Sequence, residues 1–134
     1  MRQNILIAED DEQVRQVIRL ALERAGYDVC EAADGEEARR ALGAASFDLV
    51  ITDIVMPGKD GLETIMFLRR NHPGTPIIAI SGYDNPLFLS NAVGLGATHV
   101  LAKPFTPSGL LDLVADVLTK ASVTHAAEAG EAHP

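Results

Sequence analysis

The sequence predicts a doubly wound, three-layer α/β domain built on a parallel sheet. Short apolar runs alternate with amphipathic stretches five times along the chain. The runs are nearly continuous rather than alternating, as in strands buried on both faces. Polar residues stand at the ends of the runs, where an open parallel sheet would carry a ligand.

Taken in order, Ile5-Leu6-Ile7-Ala8 is the first strand. Val14, Val17, Ile18, Ala21 and Ala25 then recur at helical spacing, and Gly26 ends that helix. Tyr27 to Cys30 reads as the second strand. Asp34 and Glu37 stand at capping-box spacing before a helix carrying Ala38, Ala41 and Leu42. Leu49-Val50-Ile51 is the third strand and stops at Asp53. Asp60 and Glu63 repeat the capping spacing ahead of Ile65, Met66 and Leu68. Pro76 to Ile80 is the fourth strand, Leu87 to Val93 a weaker helix, and Thr98 to Ala102 the fifth strand. Leu110, Val114, Val117 and Leu118 mark the last helix. From Ala121 the composition shifts to Ala, Glu, Gly, His and Thr without apolar periodicity. The expected organisation is therefore one domain over 1–120 and a flexible tail over 121–134.

The 134 residues are 47% apolar, which excludes a disordered chain, and no apolar run is long enough to span a bilayer. Met1-Arg2-Gln3-Asn4 leads straight into a strand-like run, and Cys30 has no second cysteine to pair with. Both point to a cytoplasmic address, with Cys30 a small buried hydrophobe. The formal net charge of −8 argues against direct binding of nucleic acid.

The strand ends carry the chemistry. Glu9, Asp10 and Asp11 follow the first strand, Asp53 ends the third, Ser81 the fourth, and Lys103-Pro104 the fifth. Carboxylates gathered at one edge repel unless a cation neutralises them. Hard oxygen donors with open positions suit Mg²⁺, beside which a carboxylate can attack a phosphoryl group. Ser81 and Lys103 would then hold the product's oxygens. Asp11 reads as a helix N-cap rather than a ligand.

These residues resemble the receiver domains of two-component response regulators over about Asn4 to Lys120. The resemblance rests on Ile5-Leu6-Ile7-Ala8-Glu9-Asp10-Asp11, the Asp53-Ile54-Val55-Met56-Pro57-Gly58-Lys59-Asp60-Gly61 run, Ile80-Ser81-Gly82 and Lys103-Pro104-Phe105. It implies a flavodoxin-like (βα)5 fold with strand order 2-1-3-4-5, in a stand-alone, single-domain receiver. It also implies roles: Asp53 as phosphoacceptor, Asp10 as direct Mg²⁺ ligand, Glu9 acting on the ion through water, and the Val55 carbonyl as a third protein ligand. Ser81 and Lys103 would contact the phosphoryl group, and the Lys103–Pro104 bond would be cis. The donor would be a sensor histidine kinase or histidine phosphotransfer protein. The output would be a downstream protein target, with no nucleic acid or membrane engaged directly.

One position departs from the family pattern. Receivers often carry Tyr or Phe three residues before the lysine; here it is Val100, which cannot make the rotamer swing of a large ring. His99 beside it should face the other side of the strand, as an ordinary rim histidine. The resemblance also implies that Val55 and Tyr83, two residues after the acceptor and two after the hydroxyl residue, would border the path of an attacking water. Neither can orient one, so self-dephosphorylation is expected to be slow.

Three rival readings are weaker. A phosphatase or phosphotransferase commonly needs a second acid two residues past the nucleophile, where Val55 stands. A nucleotide- or flavin-binding domain needs a phosphate-cradling loop after the first strand, where Glu9-Asp10-Asp11 carries the wrong charge. A receiver-like scaffold that never phosphorylates has no need of Glu9, Asp10, Asp53, Ser81 and Lys103 together.

Overall fold

A computed structural model of the chain describes residues 2–54, 61–82, 93–94 and 96–131, with only the backbone of 61–62 and 122–131. The elements are β1 (Asn4–Ala8), α1 (Glu12–Arg24), β2 (Asp28–Ala32), α2 (Gly35–Ala44), β3 (Leu49–Asp53), α3 (Gly61–Asn71), β4 (Ile77–Gly82), β5 (His99–Lys103) and α4 (Pro107–Glu131). The five strands are all parallel, in the order β2-β1-β3-β4-β5. The order and the doubly wound class agree with the sequence-based expectation.

The pleat divides the apolar residues of each strand between two layers. Leu6, Val50, Ile77 and Ala79 pack against Ala38 and Leu42 of α2 and Ile65 and Leu68 of α3. Ile5, Ile7, Ile51, Ile78 and Ile80 pack against Ile18 and Leu22 of α1 and Leu110, Val114 and Val117 of α4. Burial of each such side chain contributes about 1.5–3 kcal/mol before chain entropy is set against it. β1, β3 and β4 are covered on both faces, which is why their sequences read as continuous apolar runs.

Local signals set the helix ends. Asp11 caps α1, its Oδ1 accepting from the Gln13 and Val14 amides at 2.9 and 3.2 Å. Asp34 caps α2, accepting from the Glu37 amide at 2.8 Å. Gly26 follows α1 with φ +97°, a left-handed conformation that favours glycine.

Several expected details change. Val17 belongs to the helical pattern of α1 but is 50% exposed, because the buried stripe runs through Ile18, Ala21 and Leu22. Met66 is likewise exposed beside buried Ile65 and Leu68. Cys30 is half-buried against the α2–α3 layer rather than enclosed. The backbone stays helical to Glu131, through most of the segment read as a tail, in keeping with the helix propensity of its alanines and glutamates. Asp60 and the expected helix over Leu87 to Val93, Val93 apart, lie outside the described residues.

Candidate phosphoacceptor site

The sheet register brings the strand ends together. Asp53 pairs with Ile80, Ser81 with Ala102, and Gly82 with Lys103. Lys103 thus starts two strands away from Asp53, and the residue beside it on β4 is a glycine with no side chain to obstruct the crossing. Its ammonium reaches Asp53 Oδ2 at 2.8 Å, donating a hydrogen bond, and lies 2.6 Å from Glu9 Oε1. The contact with Glu9 is an ion pair without hydrogen-bond geometry.

Glu9 and Asp53 are both buried, Glu9 to 1% exposure, while Asp10 is exposed. Each of the three offers a carboxylate oxygen, and these oxygens lie within 4.8 Å of one another. Burial, reinforced by the neighbouring Asp53 and only partly relieved by Lys103, pushes the Glu9 carboxyl up to about 8. Burial pulls the Lys103 ammonium down, but the Asp53 and Glu9 carboxylates outweigh it and hold its pKa above the ordinary lysine value. Among the described residues this edge has more acid groups than cations, and its hard oxygen donors fit a small divalent cation such as Mg²⁺.

Glu9 is held at its amide, its carbonyl and one carboxylate oxygen. Its amide donates to the Ala32 carbonyl at 3.0 Å, its carbonyl accepts from Arg15 Nη1 at 2.8 Å, and its Oε2 accepts from the Asp11 amide at 3.3 Å. Sequence reasoning did not single out Arg15. The available signal was the charge pattern: Arg15 and Arg19 one turn apart on α1, facing Glu31 of β2.

Ser81 is buried on the strand next to Asp53. By strand alternation its side chain leaves on the α2–α3 face, opposite to Asp53 and Lys103. The Lys103–Pro104 bond is cis, as expected. His99 and Val100 occupy opposite faces: His99 shares its half-buried face with Leu101 and Lys103, while Val100 is exposed. His99 lies at the far end of β5 from Lys103, near Thr75 and Lys120, away from the acid cluster. Val55 and Tyr83 lie outside the described residues.

The model of the response regulator receiver domain matches residues 5–115. The chain belongs to this family. As a receiver, it is part of the two-component signalling class. It is 32% identical to the alkaline phosphatase synthesis transcriptional regulatory protein PhoP of Bacillus subtilis, over 92% of this chain and 51% of that protein. It is 33% identical to the response regulator protein PilR of Pseudomonas aeruginosa, over 87% of this chain and 26% of PilR. The receiver spans about half or less of these curated relatives. The chemotaxis response regulator CheY4 of Vibrio cholerae superposes with a TM-score of 0.82 at 34% identity, covering 87% of this chain and 99% of CheY4. NtrX from Brucella abortus superposes at 0.91 with 26% identity, over 96% of this chain and 29% of NtrX. No helix among the described residues is long and apolar enough to cross a membrane.

Proposed function

We propose that this receiver is a regulatory phospho-switch that takes a phosphoryl group onto Asp53 from a phosphohistidine of a sensor kinase or phosphotransfer protein. The observation that carries the reading is the convergence of Glu9, Asp10, Asp53 and Lys103 at one sheet edge. In the transfer, an Asp53 carboxylate oxygen bonds to phosphorus as the phosphorus–nitrogen bond of the donor breaks. The product is an acyl phosphate, and the freed imidazole recovers its electron pair. Lys103 faces the phosphoryl oxygens, and Ser81 would reach them from the end of β4 once its side chain turns from the α2–α3 face toward the Asp53 edge. Glu9, Asp10, Asp53 and the Val55 carbonyl would hold Mg²⁺, which when bound supplies charge neutralisation for the acids and the transferring group.

The chemistry runs once per cycle on the protein itself, so the role is regulatory rather than that of a turnover enzyme. We place it in the cytoplasm, with 1–120 as the switching unit and 121–134 as an appendage. NtrC of Rhizobium meliloti is named a DNA-binding transcriptional regulator, and the chain covers 24% of it. A net charge of −8 argues that a protein partner, not DNA, contacts this part. Val55 and Tyr83 cannot orient water, which supports a slow self-dephosphorylation.

The test is incubation with Mg²⁺ and acetyl phosphate, followed by intact-mass measurement. One phosphoryl group is expected, dependent on Mg²⁺ and lost in a folded Asp53→Asn variant. Equal labelling of Asp53→Asn overturns the assignment.

A further inference from the structure

We infer that Arg15, braced by Glu31, is a positioning residue for the acid pair Glu9-Asp10, an inference that rests on the Mg²⁺ and phosphoacceptor reading above. The Arg15 guanidinium is largely buried between α1 and β2, with its side chain 17% exposed. Its Nη1 donates to the Glu9 carbonyl at 2.8 Å, and its Nε donates to Glu31 Oε1 at 3.2 Å. The other oxygen of Glu31 lies 3.4 Å from Arg19 Nε, and Arg19 in turn pairs with Glu23 at 2.8 Å. The guanidinium is therefore fixed from behind before it grips the backbone.

The gripped group matters because of what it joins. The Glu9 carbonyl belongs to the peptide linking Glu9 to Asp10, where β1 has ended and α1 has not begun. On the other side of that residue, the Glu9 amide is fixed to Ala32 of β2. Two anchors, one in each peptide plane flanking Glu9, fix its backbone angles and with them the orientation of the Glu9–Asp10 plane. That plane sets where the Asp10 carboxylate emerges relative to Glu9 and Asp53. With Arg15 removed, the carbonyl at the strand end loses a charge-assisted partner. The turn then samples orientations in which the three oxygens no longer converge.

Groups that orient metal ligands from behind typically change metal affinity by about 10–100-fold when removed. Arg15→Ala should weaken Mg²⁺ binding at the lower end of that range, about tenfold, measured by calorimetry well below the melting temperature. The rate of phosphorylation by acetyl phosphate at saturating Mg²⁺ should change far less than the Mg²⁺ concentration needed for half-saturation. In the metal-free protein, amide exchange at Asp10 and Asp11 should accelerate. Arg15→Lys supplies one point charge where two hydrogen bonds are needed, and should recover part of the affinity without restoring it. Glu31→Gln, which keeps an acceptor, should weaken Mg²⁺ binding less than Arg15→Ala.

A folded Arg15→Ala with wild-type Mg²⁺ affinity and amide exchange overturns the inference. If Arg15→Ala fails to fold, Arg15→Lys decides, and wild-type affinity in that variant overturns it. A wild-type chain that binds no Mg²⁺ overturns the phosphoacceptor reading and this inference together. Normal Mg²⁺ binding by the wild type with no effect of Arg15 removes this inference alone.

Discussion

The Lys103 ammonium, at the end of β5, donates a 2.8 Å hydrogen bond to Asp53 Oδ2 at the end of β3, with β4 between them. The same ammonium lies against Glu9, so one cation serves two buried carboxylates while a third, Asp10, stands beside them in solvent. This imbalance governs the metal-free protein. A single ammonium does not stabilise two buried carboxylates fully, and Glu9 responds by holding its proton up to about pH 8.

Without a divalent cation, stability should therefore fall as pH rises from about 5 to about 8. Glu9 in the fold titrates well above its ordinary value, so across this window the folded state binds a proton that the unfolded state has released. Stability then decreases with pH, since it rises only where the unfolded state binds more protons. Thermal melts in chelator at pH 5.5, 7 and 8.5 should show the decline, and Glu9→Gln should flatten it. A Glu9→Gln variant with the same pH slope as the wild type would refute the assignment to Glu9.

Mg²⁺ should raise the melting temperature through preferential binding to the folded state, and Asp10→Ala should remove the rise. Asp10 is exposed, so its loss leaves packing intact and relieves like charge beside Asp53. The metal-free variant should match or exceed the wild type in stability. Because Glu9 holds a proton, Mg²⁺ affinity in the wild type should also increase by up to about tenfold per pH unit below pH 8. A Tm that responds equally to millimolar Mg²⁺ in both proteins would rule out Asp10 as a ligand.

The sheet and its reactive edge were legible because their signals are local. Continuous apolar runs such as Leu49-Val50-Ile51 come from burial on both faces, and acids at strand ends need only a parallel sheet to converge. Val17 was misread because helical periodicity locates a stripe but not its edge, which the packing of Ile18 and Leu22 decides. The role of Arg15 was hidden for a different reason: the charge pattern with Arg19 and Glu31 points to an ion pair, not to a grip on the backbone. Its partner is the Glu9 backbone carbonyl, and a carbonyl has no signature in sequence. The helical backbone to Glu131 reflects residue propensity, which apolar patterning does not register.

Two glycines should respond oppositely to alanine. At Gly43, near the exposed end of α2, an added Cβ meets nothing within 4 Å. Gly43→Ala should stabilise by about 0.5–1 kcal/mol through helix propensity. Gly96 has φ +122°, and a Cβ there would overlap Cγ and Cδ of Arg69. That side chain bonds the Pro73 and Thr75 carbonyls at 3.0 and 2.7 Å, tying the end of α3 to the approach to β4. Gly96→Ala should cost at least ~2 kcal/mol from backbone strain and displaced hydrogen bonds. Denaturant melts of both variants check the signs, and a neutral Gly96→Ala would show that Arg69 does not anchor this turn.

Lys103→Ala should strengthen Mg²⁺ binding while slowing phosphorylation, an opposition that follows from the position of the ammonium. Lys103 contacts the same Asp53 and Glu9 carboxylates that a divalent cation would use, so cation and ammonium repel each other and compete for oxygens. At an effective dielectric constant near 20, two unit charges about 4 Å apart interact by about 4 kcal/mol. Water and side-chain rearrangement reduce this, and a roughly tenfold tighter Kd is the expected remainder. The metal-free variant should be less stable at pH 8, because its buried carboxylates have lost their counter-charge. During transfer, however, charge on the phosphoryl oxygens needs a donor on the β5 side, and removal of such a preorganised group typically costs about 10²-fold or more in rate. The measurements are Mg²⁺ titration and the acetyl phosphate labelling rate at saturating Mg²⁺, wild type beside variant. Weaker Mg²⁺ binding in Lys103→Ala would mean that the ammonium orders the carboxylates for the cation instead of competing with it. An unchanged labelling rate would remove Lys103 from the transfer step.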